Sequence, residues 1–149
     1  MINEFLTIRG DLDVLLRDAS TGEVKLKKTF PNLVVTTGKE LLASRLASAT
    51  NNVVGYMAVG SGNTAPAVTD TTLVAEISRV ATSVAGGTPT GNTVLYTATF
   101  PAGVGTGSLQ EAGLFNAVSG GSMLSRTTYA VINKGASDEL IINWTITIG

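Results

Sequence analysis

The sequence contains no cysteine and no histidine. Without cysteine, the chain forms neither disulfides nor thiolate metal sites, and this absence is compatible with a reducing compartment such as the cytosol. Ser-His-Asp and Cys-His arrangements are also excluded, because each needs one of the two missing side chains as base or nucleophile. The missing residue types therefore remove the commonest forms of nucleophilic and general acid/base catalysis.

Charged residues are scarce as well, at 14% of the chain, against about 25% in ordinary soluble domains. They are unevenly spread, with 13 in residues 1–50 and 8 in the remaining part. The formal charge of −1 and an apolar content of 44% argue against disorder. Because charged residues are depleted at the cores of protein interfaces, this composition indicates a surface covered by partner subunits.

Features of targeting, membrane insertion and nucleic-acid binding are missing. Glu4 stands where a signal peptide needs basic residues, and no run approaches the ~20 apolar residues of a membrane span. Lys25, Lys27 and Lys28 form only a local basic cluster in a chain with a pI near 5.3, so a nucleic-acid surface is not expected. The length of 149 residues suits a single domain over residues 1–149.

What the sequence does contain is alternation of apolar and polar residues, beginning in its first segment. In this segment apolar residues occupy even-numbered positions, at Leu6, Ile8, Leu12, Val14 and Leu16. This alternation predicts a half-buried strand, with a bend or bulge at Gly10. The turn-rich residues 18–23 lead into a second strand, which completes a hairpin over about residues 5–28. We expect this hairpin to be an arm or an edge element whose lysines protect an exposed edge.

One short helix is predicted near residues 38–48. Thr37 and Glu40 have the spacing of a capping box, which marks a helix start. Leu42, Leu46 and Ala49 then repeat at helical spacing, so we expect that face to lie on a sheet.

The rest of the chain reads as short strands separated by glycine-rich turns. Residues 60–72 and 86–92 are predicted loops. Strands are expected over residues 53–59, from about Ile77, and over 94–100, 108–116, 123–132 and 142–148. This pattern predicts an all-β fold, a β-sandwich with a jelly-roll-like strand order.

Four acidic residues are candidates for the paired carboxylates of glycoside hydrolysis, namely Asp70, Glu76, Glu111 and Asp138. Asp70 and Asp138 lie in polar loop sequences, and we interpret them as solvated loop acids. Glu111 is expected to face inward beside Arg79 or Arg126, because an unpaired buried charge is very costly. A structural ion pair is favoured over catalysis.

Other patterns have equally ordinary interpretations. Asp11 and Asp13 have the spacing of calcium ligands but fall on a strand's polar face, which predicts solvation. Gly60-Ser61-Gly62 and residues 103–107 lack the following helix of a phosphate-binding loop and are predicted turns. Trp144 and Tyr96 could stack on a sugar, although their alternating positions favour the core. We therefore expect no catalytic, cofactor-binding or metal-ligating residues, no cofactor, and no enzymatic activity.

Several segments resemble small virion structural proteins of tailed bacteriophages, including tail-fibre-like and capsid-cement-like proteins. The matching segments run along nearly the whole chain: LTIRGDL at 6–12, NLVVTTGKE at 32–40, MAVGSG at 57–62, GLFN at 113–116 and INKGA at 132–136. None of them is a catalytic signature. Gly60, Gly62 and Gly113 are expected to serve backbone geometry rather than binding.

The resemblance implies a role in particle assembly. It points to a virion protein, assembled in the host cytoplasm, whose partners are copies of itself and the major capsid protein or tail proteins, with no nucleic acid and no membrane. A capsid cement or decoration protein is the favoured expectation. The alternatives are a short tail-fibre or tail-attachment subunit, a carbohydrate-binding adhesion module, and an enzyme that cleaves host polysaccharide.

Overall fold

A computed structural model of the chain describes residues 4–48 and 51–149, which form ten strands and one helix. The elements are β1 (Ile8–Asp18), β2 (Val24–Pro31), β3 (Leu33–Val34), α1 (Thr36–Ala47), β4 (Tyr56–Gly60), β5 (Glu76–Ala81), β6 (Thr88–Thr90), β7 (Thr93–Phe100), β8 (Gly107–Phe115), β9 (Met123–Lys134) and β10 (Asp138–Ile148). Sheet A has the order β2-β1-β10-β7-β6, and sheet B has the order β3-β9-β8-β4-β5. The predicted all-β sandwich is confirmed.

The core lies between the two sheets and follows the predicted alternation. In sheet A, Leu12 pairs with Trp144 and Val14 with Ile142 across antiparallel β1 and β10. All four of these side chains are buried. Because side chains alternate between the faces of a strand, this register places one complete apolar set of each strand against sheet B.

The N-terminal hairpin is part of sheet A. β1 lies between β2 and β10, and β2 forms the edge that carries Lys25, Lys27 and Lys28. The bend or bulge predicted at Gly10 is wrong, since the pairing with β10 continues unbroken across it. A Cβ at Gly10 would meet the Asn32 side chain, so this glycine leaves room for Asn32 beside β1. The irregularity of this hairpin falls between Leu16 and Arg17.

The chain changes sheet repeatedly, at β2–β3, β5–β6, β7–β8 and β9–β10. Such crossings are the feature that sandwiches and jelly rolls share. Between them, hairpins keep sequence neighbours paired, as in β4–β5 and β8–β9. Two short strands were missed from the sequence: Leu33–Val34 forms β3 beside β9, and Thr88–Thr90 forms β6 inside the predicted loop 86–92.

Helix α1 spans Thr36–Ala47 and begins before the predicted start. The predicted capping box is wrong: Val35 is the N-cap and makes no side-chain cap, while the Thr37 hydroxyl donates to the Met123 carbonyl. The buried face consists of Gly38 and Leu41. Gly38 allows the helix to approach β9, since a Cβ there would lie 2.1 Å from the Leu124 carbonyl oxygen.

The predicted apolar face of the helix is also wrong in part. Leu42 is half-buried against the core, but the Leu46 side chain is 92% exposed. Ala49 lies outside the described residues. The spacing of these residues was helical, but the packing of Gly38 and Leu41 against the sheet turned Leu46 toward solvent.

Sheet B has a second apolar cluster on the side facing away from sheet A. Its members are Val35, Ala58, Leu73, Phe115 and Met123. Leu73 comes from residues 61–75, which connect β4 to β5 without regular secondary structure. Loops of this length are uncommon in compact domains unless they are functional or disordered. The contacts that order this loop are the main feature of the candidate site.

Candidate functional site

Glu111 and Arg126 form an ion pair in which neither side chain has any exposed area. The Arg126 Nη2 lies 2.9 Å and its Nε 3.1 Å from the Glu111 Oε2. Glu111 is paired with Thr128 across β8 and β9, so Arg126 is its diagonal neighbour on the same face. The predicted structural ion pair is confirmed, with Arg126 as the partner, and it lies on the face of sheet B that points away from sheet A.

The Glu111 carboxylate also holds both ends of the loop 61–75. Its Oε1 accepts hydrogen bonds from the Gly62 amide at 3.0 Å and the Ala75 amide at 2.7 Å. Its Oε2 accepts one from the Val74 amide at 3.0 Å. These three amides would bond to backbone carbonyls in a helix or strand, and here the Glu111 side chain is their acceptor instead.

Arg126 extends the network to the middle of the loop. Its Nη2 donates to the Thr64 carbonyl at 3.0 Å, and its Nη1 donates to the Asp70 Oδ2 at 2.9 Å. Asp70 in turn accepts a hydrogen bond from the Ala67 amide. The interpretation of Asp70 as a solvated loop acid is therefore wrong, because its side chain is 24% exposed and points to a buried guanidinium.

Two glycines allow the loop backbone to reach the carboxylate. A Cβ on Gly60 would lie 2.3 Å from the Ala75 carbonyl oxygen, and a Cβ on Gly62 would lie 2.6 Å from the Glu111 Oε1. Neither glycine has a positive φ. They serve close approach of the backbone rather than an unusual backbone conformation.

The chemistry available to this network is limited. Both Glu111 oxygens are saturated with donors, and the carboxylate has no contact with solvent through which a substrate could reach it. A buried ion pair does little for stability relative to an apolar replacement, but it is destabilising when only one partner is removed. The Glu111 network, defined as Glu111, Arg126 and Asp70 with the loop groups they bind, therefore fixes the position of the loop.

Arg79, the other predicted partner of Glu111, has a separate role. It forms two hydrogen bonds with Glu76, at 2.7 and 3.0 Å, and its guanidinium carbon lies 3.6 Å from the centroid of the Phe115 ring. It also donates to the carbonyls of Ala117 and Gly120, which lie in the turn between β8 and β9. Glu76 is thus engaged with Arg79 on the strand β5 and is not part of a carboxylate pair with Glu111.

A second buried polar cluster surrounds Asp138, which is only 3% exposed. Its carboxylate accepts hydrogen bonds from the Lys25 ammonium at 2.6 Å and the Gly135 amide at 2.8 Å. These donors, Lys25 first, lower the pKa of Asp138. The interpretation of Asp138 as a solvated loop acid is wrong, because its buried carboxylate is bound by the Lys25 ammonium and the Gly135 amide.

Lys134 is a buried cation that sequence reasoning missed. It is 2% exposed, and its ammonium donates to the carbonyls of Pro101 and Asp138 at 3.0 and 2.6 Å. Burial lowers the pKa of Lys134, partly opposed by the charges of Asp138 and Glu139. In the sequence, the burial of Lys134 was indicated by its position two residues after Ile132, which places both side chains on the same face of β9. One acceptor, the Asp138 carbonyl, is only four residues away, but the other, the Pro101 carbonyl, is distant in sequence and could not be read from a local pattern.

The remaining predicted site residues are in ordinary positions. Trp144 and Tyr96 are buried, at 0% and 7% exposure, so the core interpretation is confirmed and they form no exposed platform for a sugar. Asp11 and Asp13 are exposed on β1, as predicted. Over residues 4–48 and 51–149, no cluster of three or more acidic side chains has the arrangement of a metal site.

The face of sheet A that points away from sheet B carries a single charge over three adjacent strands, on Glu139 at the start of β10. We call this surface the threonine face, and it consists of Thr88 and Thr90 on β6, Thr93, Leu95, Thr97 and Thr99 on β7, and Ile141, Asn143, Thr145 and Thr147 on β10. None of these residues is buried. The charges that border this surface are Glu139 at the start of β10 and four residues of β1 that pair with β10, namely Arg9, Asp11, Asp13 and Arg17.

No helix in the described part of the chain is long and apolar enough to cross a membrane. Comparison with known protein families, with curated protein sequences and with solved structures finds no match to this chain.

Proposed function

We propose that this chain is a structural protein of a tailed-bacteriophage particle, and specifically a capsid cement or decoration protein without enzymatic activity. The observation that carries this proposal is the threonine face. It is a sheet surface with hydroxyls, an amide and two large aliphatic side chains, and the one charge on this face over β6, β7 and β10 is at its margin, on Glu139, which pairs with Arg17. The proposed partners are copies of the chain and the major capsid protein.

Such a face is suited to burial against another protein. Hydroxyl groups pack and form hydrogen bonds at an interface without the large desolvation cost of a charge. Leu95 is 40% exposed on this face and gives it an apolar contact point. A sheet exposed to solvent throughout its life would more often alternate with lysine and glutamate, and interface cores are depleted in these residues.

Both edge strands of sheet A have features that hinder pairing with a strand of another chain. We therefore expect sheet A to contact other subunits through its face and not through its edges. The edge strand β2 carries three lysines, and the opposite edge β6 is only three residues long and contains Pro89. Lysines, short strands and proline are the devices that keep sheet edges from pairing with other chains. Assembly through the threonine face is therefore compatible with an individually folded, non-aggregating subunit.

The charges of the long loop also suit a structural role. Glu111, Arg126 and Asp70 bind each other and the loop backbone, so the loop 61–75 is a fixed surface rather than a mobile segment that closes on a substrate. Preorganised surfaces lose less entropy when they bind. A cement protein that must bind many equivalent positions gains from this rigidity.

Two alternatives make different predictions. A short tail-fibre or tail-attachment subunit would use the same folded module at the tail and differs in location. A carbohydrate-binding module needs exposed aromatic side chains, and the burial of Trp144 and Tyr96 removes the platform that the sequence suggested.

The test is the position and copy number of the protein on purified particles, by antibody labelling in electron microscopy and quantitative mass spectrometry. Labelling over the whole shell at a fixed ratio to the major capsid protein is expected, whereas labelling at the tail alone would support the tail alternative. Thr99→Lys should weaken rebinding to particles that lack the protein. Thr106→Lys, at an exposed loop position outside the threonine face, should rebind normally.

A further inference from the structure

An apolar groove lies at one end of the sandwich, where α1 meets the start of β1 and the end of β10. Its volume is about 460 Å³, and it is lined by Leu6, Ile8, Leu42, Arg45, Leu46 and Ile148. Ile8 and Leu42 are half-buried and pack on the core, so they form the floor of the groove. We call this surface the terminal groove.

The most exposed large apolar side chains of the described residues are found at this groove. Leu46 is 92% exposed, Phe5 87% and Leu6 70%. Leu6 and Leu46 line the groove, and Phe5 is the neighbour of Leu6 in sequence. Scattered exposed apolar residues are normal, but a contiguous apolar patch marks an interaction site.

Hydrogen bonds hold the segment that carries Phe5 beside the groove. The Gly149 amide donates to the Thr7 carbonyl at 2.8 Å, and the Thr7 hydroxyl donates to the Gly149 carbonyl. Across the groove, the Arg45 Nη1 donates to the Asn51 carbonyl at 2.7 Å, which places this guanidinium on the rim. Glu4 is exposed next to Phe5. The patch thus contains an aromatic anchor, an apolar groove and charges of both signs.

We propose that the terminal groove is a two-fold contact between two copies of this chain, in which Phe5 of each copy enters the groove of the other. In a two-fold interface the same patch must be complementary to itself. The patch meets this condition, because the groove and a residue able to fill it lie side by side, and because it contains an acid, Glu4, and a base, Arg45. In the proposed pairing, Glu4 of one copy would lie near Arg45 of the other. Buried aromatic anchors of this kind dominate the energies of interfaces.

This inference specifies the self-contact that the proposed function leaves open, and it rests on that function only for the expectation that the chain assembles. Its test uses the isolated protein in solution. A chain that pairs through the groove but is absent from virions would contradict the proposed function and leave the groove contact in place. A virion protein that stays monomeric in solution would contradict the groove contact and leave the proposed function in place.

The first measurement is sedimentation velocity over a concentration series. Leu46→Glu should raise the dissociation constant of the dimer about tenfold or more, because it places a charge in an apolar contact. Val118→Glu is the matched control, since Val118 is 69% exposed in the turn between β8 and β9. Glu4→Arg and Arg45→Glu should each weaken the dimer, and their combination should restore it.

The second measurement uses the absence of cysteine from the chain. Phe5→Cys and Leu46→Cys proteins are prepared separately, mixed and oxidised, and a disulfide-linked dimer containing both variants is expected. Phe5→Cys mixed with Val118→Cys should give no mixed dimer. The proposal is overturned if the unsubstituted chain sediments as a monomer at every concentration, or if it forms a dimer that is insensitive to Leu46→Glu and gives no Phe5–Leu46 disulfide.

Discussion

Arg126 reaches diagonally across β8 and β9 to Glu111, and the two fully buried side chains meet at 2.9 Å. Removing one partner of such a pair leaves an uncompensated buried charge, so Glu111→Gln should destabilise the fold by about 3–5 kcal/mol. Urea unfolding followed by circular dichroism measures this difference. Glu139→Gln, which breaks the more exposed pair with Arg17, should cost no more than about 1 kcal/mol. Equal costs for the two substitutions would contradict the role assigned to Glu111.

The loop 61–75 should loosen when the approach of its backbone to Glu111 is blocked. A Cβ at Gly62 would clash with the Glu111 Oε1 and the Val74 Cβ, both at 2.6 Å, so Gly62→Ala should destabilise the fold by about 1–3 kcal/mol. Hydrogen exchange of the Val74 and Ala75 amides should accelerate, because these amides donate to Glu111. Gly55→Ala is the control, since its nearest neighbour would be 3.7 Å away. Unchanged exchange in Gly62→Ala would contradict the role assigned to Glu111 in holding the loop.

Acid should weaken the β1–β2 turn through Asp18. Hydrogen bonds from Ser20 and Thr21 lower the pKa of Asp18 from 3.8 to about 2. Because this pKa is lower in the folded state, the stabilisation is complete above pH 3.8 and is lost as the pH falls through about 2. Asp18→Asn should therefore be less stable than the unsubstituted chain at pH 7, and the difference should disappear near pH 2 in urea titrations. A difference that stays constant over this range would show that the charge of Asp18 is not the cause.

Trp144 is the single tryptophan and is completely buried, so it reports directly on the core. Its fluorescence should be protected from acrylamide in the folded chain and become accessible only on unfolding. Addition of oligosaccharides should leave the emission unchanged, because no sugar can stack on an enclosed indole. Quenching in the folded state, or a shift on adding a glycan, would return the carbohydrate-binding alternative to consideration.

Strand positions were predictable from sequence because they depend on local alternation. Ile142, Trp144 and Ile146 share one parity and are all buried, as expected. The burial and pairing of Glu111 were also predictable, because its segment is otherwise apolar and a buried charge needs a partner. Its orientation was not, since Ala112 and Leu114 face the core and Glu111 points to the other face of sheet B, where the loop 61–75 covers it. These inferences need only the two-residue period of a strand and the cost of burying a charge.

The environments of Asp70 and Asp138 were not predictable, because their partners are far away in sequence. Asp70 meets Arg126, and Asp138 meets Lys25, in each case through a contact between separate elements. Their local sequences are polar and resemble those of solvated turns. The Thr37 and Glu40 spacing was misleading for a related reason, since the Thr37 hydroxyl bonds to the Met123 carbonyl on β9.

The pairing of β1 with β10 has a consequence for the order of folding. Ile8 lies opposite Ile148, so the centre of sheet A joins the two most distant strands of the chain. Contacts of such long sequence separation close slowly, and sandwiches dominated by them fold in about milliseconds to seconds. During synthesis, β1, which carries Leu12, Val14 and Leu16, lacks its partner strand β10 until residues 138–148 have emerged from the ribosome. A nascent chain stalled before that point should be protease-sensitive and bind chaperones.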